Sequence, residues 1–410
     1  MRHRSALLLP ALLLGALWAA PPALADFSLE RLERLDTFLD SYVEQGRLPG
    51  AVLQVTHDGE TAYHRATGLR DMEAGAPMRP DTIFRIASMS KAVISAAVMV
   101  LQEQGALVIG QPVGDFLPEF AATTVAVPGD DGGYDVVDAE RPITIRDLLT
   151  HTAGIGYGYG PAAEQWEAAG LQHWYFGHRE ETIRETVRRI AEMPMDAQPG
   201  EAFVYGYNTD ILGAVVEAAS GQPLDAFLQA EIFGPLGMKD TSFYLPLAKA
   251  DRLVTVYSRT EAGDLVPAHP DTPFHGQGHY VEGPRASFSG GAGLLSTTAD
   301  YTRFLEALRR GGPVLGRKSV ESMTVNHLPA DLASLRPGAG FGLGFAVVSD
   351  LGAWGQPGSV GEFSWGGAYH TSYWVDPAEE LTVVYMTQVL PAPGLDDFSK
   401  VRALIYQALD

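Results

Sequence analysis

The segment that most constrains the fold is FRIASMSKAVISAAVMVLQEQGAL, which begins at Phe84 and follows a helical pattern that is apolar nearly all the way round. A helix of this kind is buried on most of its sides. Between Arg85 and Glu103 the only charged residue is Lys91. Burying a lysine costs free energy unless the amine is paired or deprotonated. The segment therefore predicts a helix inside a large core, with a lysine that has a specific role.

Ser88 precedes Lys91 by three positions and supplies such a role. Positions i and i+3 share one face of a helix, so the hydroxyl and the amine can approach each other. They would meet at the amino end of the helix, where backbone N–H groups favour a developing anion. This pattern is typical of a nucleophile with its base. The spacing is equally typical of a serine that caps the helix and a lysine that extends to the surface.

Composition excludes several classes of chemistry. The 410 residues, 46% hydrophobic and 19% charged, are typical of a globular protein long enough for two lobes. With a net charge of −21, the chain lacks the positive charge that attracts nucleic acid. Because the chain has no cysteine, disulfides, thiolate nucleophiles and Cys-ligated metal centres are excluded. His269, His275 and His279 lack helical ligand spacing, so we expect neither a metal nor a cofactor.

Residues 1–25 have the pattern of a secretory signal peptide. Arg2 and Arg4 form a basic start, an apolar run covers 6–20, and Ala23-Leu24-Ala25 is a small-x-small cleavage pattern. The alternative is an uncleaved membrane anchor, but the apolar run is shorter than a bilayer span. We expect a mature chain that begins at Asp26, without a membrane anchor, in the periplasm or outside the cell.

Strand patterns lie at both ends of the chain. An amphipathic helix pattern from Phe27 precedes two alternating apolar stretches joined at Asp58-Gly59, a hairpin signal. Further strand patterns begin at Phe341, Thr371 and Leu381. We therefore predict a sheet domain made of residues 26–115 and 286–410, with a mainly helical lobe, 116–285, inserted between them.

Several further motifs occur along the chain in a fixed order. They are ITIRDLLTHTAGI, PGEAFVYGYNTDILGAVVEAASGQPL, IFGPLGMKDTSFYLP, FSGGAGLLSTTADYTRFL and FSWGGAYHTSYWVDP. Together with Ser-x-x-Lys, they make the chain resemble the penicillin-recognising serine hydrolases: class C β-lactamases, DD-peptidases and family VIII carboxylesterases. The resemblance covers nearly all of the mature chain. It implies an α+β fold (an α/β sandwich) of the β-lactamase/DD-peptidase type, a mainly antiparallel sheet flanked by helices beside a helical lobe, with the active site between them.

The resemblance also implies catalytic roles. Ser88 is the nucleophile, Lys91 its partner and Tyr205 the general base, with Tyr207 as the rival tyrosine. A phenol is mostly protonated at neutral pH, so it serves as a base only where a cation such as Lys91 stabilises the phenolate. Which of Lys91 and Tyr205 takes the serine proton stays open. The family's Tyr-x-Asn motif would need asparagine at position 207, and Asn208 is the candidate replacement.

The third family motif is altered. Where β-lactamases and DD-peptidases carry Lys-Thr-Gly, this chain resembles family VIII esterases in having Trp365-Gly366-Gly367. The glycines let a substrate lie close to the strand, and the Ala368 N–H can join that of Ser88 in an oxyanion hole. An indole offers an apolar wall and one donor, which suits a neutral ester better than an anionic β-lactam. His370 either contributes a hydrogen-bond donor to the site, with a positive charge when it is protonated, or it faces solvent.

Two other groups have weaker patterns. His151 is predicted to hold a loop rather than transfer protons. A set of aromatic residues among glycines fits a substrate rim and a packed surface equally well: Tyr157, Tyr159, Trp166, Trp174, Tyr175 and Phe176.

The predicted function is a secreted serine carboxylesterase that acts on small neutral esters through an acyl-enzyme, without metal or cofactor. One alternative is a β-lactamase or D-amino-acid peptidase acting on an amide, which would need a cation such as His370 or an arginine in place of the missing lysine. The other is a non-catalytic module that binds peptides or cell wall. The presence of Ser88, Lys91 and Tyr205 together speaks against that module.

Overall fold

The computed structural model describes residues 27–129, 132–269, 276–329, 332 and 336–409. The segment 1–25, where a signal peptide is predicted, lies outside the described residues, as does His275.

Strands and helices are numbered separately in chain order. The strands are β1 (Gly50–His57), β2 (Glu60–Asp71), β3 (Ala76–Pro77), β4 (Phe84–Arg85), β5 (Thr124–Pro128), β6 (Tyr134–Asp138), β7 (Tyr257–Arg259), β8 (Leu265–Pro267), β9 (Leu295–Ser296), β10 (Ala339–Phe341), β11 (Ala346–Val348), β12 (Phe363–Gly367), β13 (Thr371–Asp376) and β14 (Leu381–Met386). The helices are α1 (Leu29–Glu44), α2 (Ser90–Glu103), α3 (Ile145–Leu149), α4 (Ala163–Ala168), α5 (Ile183–Ala191), α6 (Asn208–Ser220), α7 (Leu224–Leu228), α8 (Gly234–Leu236), α9 (Thr298–Arg310), α10 (Arg317–Met323), α11 (Leu351–Trp354) and α12 (Asp397–Tyr406).

The main sheet has eight strands in the order β10-β11-β12-β13-β14-β1-β2-β3, and neighbouring strands are antiparallel. The two ends of the chain meet at its centre, where Leu53 of β1 faces Tyr385 of β14. Asp58 and Gly59 both have positive φ angles and form the predicted hairpin turn between β1 and β2. The mainly antiparallel sheet and the α+β fold class are confirmed, whereas the predicted domain boundaries stay a prediction.

Alternating strand residues cover the two faces of this sheet. On one face, Leu53 and Val55 of β1 pack in a cluster with α1 and α12. Helix α1 is the predicted amphipathic helix, and its N-cap is Ser28, whose side chain accepts a hydrogen bond from the Arg31 N–H. On the other face, Val52 and the α2 side chains belong to the largest core cluster. The sheet therefore lies between two helical layers.

Helix α2 connects the sheet to the helical lobe. Every residue from Ser90 to Leu101 is buried. The α2 side chains share one core cluster with strand residues such as Val384 and with Ile211 of α6. The burial predicted from the apolar pattern is thus confirmed, because this helix has packing partners on opposite sides.

Residues 116–285 contain α3 to α8 and two small two-stranded sheets, β5-β6 and β7-β8. In the β4-β9 pair, Phe84 faces Ser296, so the strand before α2 is joined to the strand before α9. Among the described residues, no helix is both long enough and apolar enough to cross a membrane.

Candidate active site

Ser88 lies in a tight turn rather than in α2 itself. The chain leaves β4, and a 3₁₀ turn, Ala87–Met89, carries Ser88 before α2 begins at Ser90. The buried Ala87 has a φ of +40°, a backbone conformation that non-glycine residues rarely adopt. Such strain is held only where the surrounding structure enforces it, and it often marks functional sites. The turn presents the Ser88 hydroxyl to a cleft beside the sheet.

Lys91 is fully buried and directs its ammonium at three acceptors. Its Nζ donates to Ser88 Oγ at 3.2 Å, to the Tyr157 hydroxyl at 3.2 Å and to the Gly291 carbonyl at 2.8 Å. An ammonium group has three N–H donors, so this arrangement satisfies the buried cation. The lysine therefore contacts the candidate nucleophile instead of extending to the surface.

Asp210 of α6 binds Gly291, the residue whose carbonyl accepts a hydrogen bond from Lys91. Its Oδ1 accepts from Ser289 Oγ at 2.6 Å and from the Gly291 N–H at 3.1 Å. Burial raises the pKa of this carboxyl, while the Ser289 hydrogen bond and the charge of Lys91 act in the opposite direction. A Cβ on Gly291 would lie 2.4 Å from Asp210 Oδ2, so only glycine allows this close approach.

Tyr205 lies against Lys91 from the other side of the cleft. The Lys91 Nζ is 4.6 Å from the centroid of the Tyr205 ring, within the range of a cation–π contact. The indole Nε1 of Trp365 donates to the Tyr205 hydroxyl at 3.1 Å. Tyr205 therefore has the Lys91 ammonium at the face of its ring and an N–H donor at its hydroxyl.

Tyr207 has different surroundings. It is fully buried, and the single proton of its hydroxyl is directed at the carbonyl groups of Leu171, at 2.7 Å, and of His173. Its ring stacks on Trp166 and Phe176. The structure thus places Tyr207 in the packing of the helical lobe and Tyr205 beside Lys91.

Asn208 does not face the cleft. It is fully buried, and its Nδ2 lies 2.9 Å from His151 Nδ1, 3.0 Å from the Ile155 carbonyl and 3.1 Å from the Val204 carbonyl. Burial, together with the charge of Lys91, holds the pKa of His151 well below its usual value, so its ring is neutral. Asn208 and His151 therefore join two loops behind Tyr205, which agrees with the loop-holding role predicted for His151.

Strand β12 forms the opposite wall of the cleft. A Cβ on Gly367 would lie 2.3 Å from the Ile86 carbonyl oxygen, so the strand rests directly on the turn that carries Ser88. The cavity has a volume of about 530 Å³. The predicted site residues that line it are Ser88, Tyr205, Trp365, Gly366, Gly367 and Ala368.

His370 follows this strand but faces α12. Its Nε2 is 2.8 Å from Asp397 Oδ1, and its ring stacks on Phe398 with the centroids 4.0 Å apart. Its side chain is therefore engaged by α12 and does not supply a cation beside Ser88.

Two groups of this site have no clear signature in the sequence. The sequence pattern places Tyr157 only among aromatics that fit a rim or a packed surface, and burial beside other acidic groups raises its pKa well above the usual value. Gly291 acts through its carbonyl, which leaves no side-chain signature. The one available signal is the glycine pair in FSGGAGLL. The other aromatic residues of that set differ in exposure: Trp166, Tyr175 and Phe176 are buried, and Tyr159 is exposed.

An antiparallel sheet beside a helical lobe, with a serine and a buried lysine in the cleft between them, defines a serine hydrolase of the β-lactamase class. The family model described as Beta-lactamase matches residues 35–406, and the chain belongs to this family.

Known relatives of the chain include esterases. Esterase EstB of Burkholderia gladioli is 36% identical over 366 residues, which is 86% of this chain and 89% of EstB. A lovastatin esterase of Penicillium rubens is 29% identical over 88% of this chain and 94% of its own length. Among solved structures, EstCE1, a hydrolase with promiscuous acyltransferase activity, superposes with a TM-score of 0.82 at 29% identity, covering 92% of this chain and 99% of EstCE1.

Proposed function

We propose that this serine hydrolase is a carboxylesterase that acts on small neutral esters through an acyl-enzyme. The observation that carries the proposal is Trp365, which stands where related β-lactamases and peptidases have a lysine that holds the substrate carboxylate. The indole N–H is used by the Tyr205 hydroxyl, so this position supplies an apolar wall and no cation. The similarity to Esterase EstB supports an ester substrate, and the similarity to EstCE1, a hydrolase with promiscuous acyltransferase activity, supports a reaction that transfers an acyl group.

The proposed reaction has two steps. Ser88 Oγ attacks the ester carbonyl carbon, and its proton passes to the Lys91 and Tyr205 pair. The backbone N–H groups of Ser88 and Ala368 stabilise the oxyanion, and the alcohol leaves with the transferred proton. Water then attacks the acyl-enzyme, the same pair takes its proton, and Ser88 is regenerated as the acid departs.

Turnover of p-nitrophenyl butyrate by the chain from Asp26 tests this proposal. Ser88→Ala should lower kcat by about three orders of magnitude or more, because the nucleophile is lost. Ser364→Ala is the matched control, since Ser364 lines the same cavity on β12, and it should retain activity within a few-fold. Turnover that survives in Ser88→Ala would contradict the assigned nucleophile.

A β-lactamase or D-amino-acid peptidase is the second candidate, favoured by two arginines, Arg336 and Arg402, that line the same cavity. The Arg402 guanidinium is bonded to the Glu362 carboxylate, so its charge is balanced within the protein. The carboxylesterase proposal predicts that a chromogenic cephalosporin competes weakly with the ester and turns over slowly. Efficient cephalosporin hydrolysis would favour this second candidate.

We also propose that the protein is exported to the periplasm or the medium after cleavage behind Ala25. The basic, apolar and small-x-small pattern of residues 1–25 supports this proposal. Expression of the full chain in a Gram-negative host should give a periplasmic or secreted product whose intact mass corresponds to residues 26–410. Ala25→Arg should block cleavage, whereas an uncleaved wild-type product would contradict the proposal.

A further inference from the structure

We propose that His370 is a positioning residue: through Asp397 it holds the turn that presents the Ala368 N–H to the substrate oxyanion. This inference rests on the function proposed for the Ser88 site. It concerns a contact between the β12-β13 turn and α12, which the catalytic scheme above does not use.

The backbone conformation of the turn at His370 is one that favours glycine. Gly367 pairs with Thr371, which closes a three-residue loop of Ala368, Tyr369 and His370. The His370 N–H donates to the Gly367 carbonyl at 3.1 Å, and His370 has a φ of +63°. Three-residue hairpin loops place a left-handed residue at this position, which favours glycine. Histidine is less common there than glycine, and its side chain makes contacts that glycine cannot make.

The imidazole is held by the first turn of α12. Asp397 is fully buried, and a buried carboxylate requires a hydrogen-bond donor. The 2.8 Å contact from His370 Nε2 supplies a partner for Asp397 Oδ1. The ring also lies nearly parallel to that of Phe398, with an interplanar angle of 12°. A hydrogen bond and a stacked contact together leave the imidazole little freedom to move.

Helix α12 is in turn fixed to the rest of the fold. Asp396, directly before Asp397, accepts from the Tyr42 hydroxyl at 2.5 Å and from Arg47 at 2.7 Å, and its Oδ2 pairs with Lys400 at 2.6 Å. Tyr42 belongs to α1, which packs on the same face of the sheet. The contact from His370 to Asp397 therefore connects the turn to the helical layer formed by α1 and α12.

Two anchored residues follow the exposed Ala368 in the turn. The buried Tyr369 packs against Trp174, and the Tyr369 carbonyl accepts from the Val389 N–H at 3.0 Å. The next residue, His370, is held by α12. Stabilisation of an oxyanion depends on where the donor stands when charge develops, so a small displacement of this N–H slows the reaction. Loss of the second anchor should affect the chemical step more than binding of the ester.

The test compares His370→Gly with Glu380→Gly. Glu380 also has a positive φ, in the turn at the other end of β13, so the control makes the same backbone change away from the cleft. His370→Gly should lower kcat for p-nitrophenyl butyrate about 10- to 100-fold with KM unchanged within about threefold. Glu380→Gly should retain wild-type values.

Two variants of the partner separate positioning from folding. Asp397→Asn keeps an oxygen that accepts from the imidazole and should retain most of the activity, whereas Asp397→Ala should reproduce the loss seen in His370→Gly. Melting temperatures of all variants identify any that fail to fold. Equal kcat in wild type, His370→Gly and Asp397→Ala would overturn the proposal.

Phosphonylation of Ser88 by a p-nitrophenyl alkylphosphonate, followed by intact mass, provides a readout that does not depend on ester turnover. The phosphoryl oxygen occupies the oxyanion hole, so His370→Gly should slow this reaction by a similar factor. If the wild type is phosphonylated but hydrolyses no ester, the carboxylesterase proposal fails, and a slower His370→Gly still supports the role of His370. An unreactive wild-type Ser88 would overturn both proposals.

Discussion

At the scale of single residues, Lys91 shows how the site combines distant segments of the chain. Its three contacts reach the turn before α2, the glycine-rich loop with Tyr157 and the segment before β9. Each contact accepts one hydrogen bond from the Lys91 ammonium group, whose burial would otherwise cost free energy. Ser88 therefore has a fixed neighbour whose orientation depends on all three segments.

The two tyrosines before α6 should respond differently to loss of the hydroxyl. Tyr205→Phe removes the group that accepts from Trp365, and we expect kcat to fall by about two to four orders of magnitude with little change in melting temperature. Tyr207→Phe leaves the buried Leu171 carbonyl without its donor and should lower the free energy of unfolding by about 1–3 kcal/mol while kcat stays within a few-fold. Ester kinetics and thermal denaturation check both, and the reverse pattern would assign the base to Tyr207.

Gly367 should not tolerate a side chain, for a steric reason. In Gly367→Ala the new Cβ would lie 2.3 Å from the Ile86 carbonyl oxygen, a backbone atom that cannot rotate away. We expect a loss of about 1–3 kcal/mol in unfolding free energy and at least a tenfold lower kcat, because β12 must move from Ser88. In the control Gly352→Ala the nearest contact is 3.4 Å, so urea denaturation and ester kinetics should both resemble wild type. A fully active Gly367→Ala protein would contradict this close approach.

At the scale of elements, the loop 154–160 is built around the Asp196 carboxyl. Side-chain carbons on Gly156 and Gly160 would lie 2.1 and 1.9 Å from its oxygens, so the glycines let the loop pass directly over the acid. The Asp196 N–H also donates to the Gly154 carbonyl at 2.8 Å. This loop brings the Tyr157 hydroxyl to Lys91, so its stability bears on the site.

The protonation of Asp196 should make this loop pH-sensitive. Burial raises the pKa of the carboxyl from 3.8 to about 6, so the folded chain binds the proton more tightly than the unfolded chain. This contribution to stability is complete at low pH and is lost as pH rises from about 4 to about 6. Asp196→Asn should match wild type near pH 4 and exceed it at pH 7 by about 1 kcal/mol, a figure reduced for solvent screening.

Thermal denaturation between pH 4 and pH 7 checks this expectation. The control is Asp251→Asn, which makes the same substitution at an exposed carboxylate outside this loop. A constant difference between Asp196→Asn and wild type across the whole pH range would contradict the raised pKa.

At the scale of the whole molecule, α2 packs against both the sheet and the helical lobe. Its side chains belong to a core cluster that includes residues of β1, β14 and α6. Neither the sheet nor the lobe can keep its core if this helix is lost. We therefore expect calorimetry to show a single unfolding transition for the chain from Asp26.

Ile94 of α2, which is fully buried, tests this coupling. Ile94→Ala should lower the free energy of unfolding by about 2–5 kcal/mol and shift the whole transition without splitting it. Leu247→Ala, at a side chain that is 77% exposed, should change stability by less than about 0.5 kcal/mol. Two separated transitions in Ile94→Ala would show that the sheet and the helical lobe unfold independently.

Much of the fold follows from short-range patterns. The Asp58-Gly59 turn, the amphipathic α1 and the buried α2 are all predictable, because turn chemistry and apolar periodicity act over a few residues. The proximity of Ser88 and Lys91 is predictable for the same reason, although Ser88 lies in a 3₁₀ turn before the helix. In the third motif, the loss of the lysine is visible in the sequence itself.

Partners that are distant in sequence were decided only by the tertiary structure. Lys91 and the Gly291 carbonyl are 200 positions apart, and Trp365 and Tyr205 are 160 apart. Asn208 and His370 carry polar groups suited to a site, yet the packing of α6 and α12 turns them toward His151 and Asp397. A side chain's chemistry is local, whereas its partner depends on which segments the core brings together. The sequence by itself determined the chemical groups available to the site, and tertiary packing decided which of them meet.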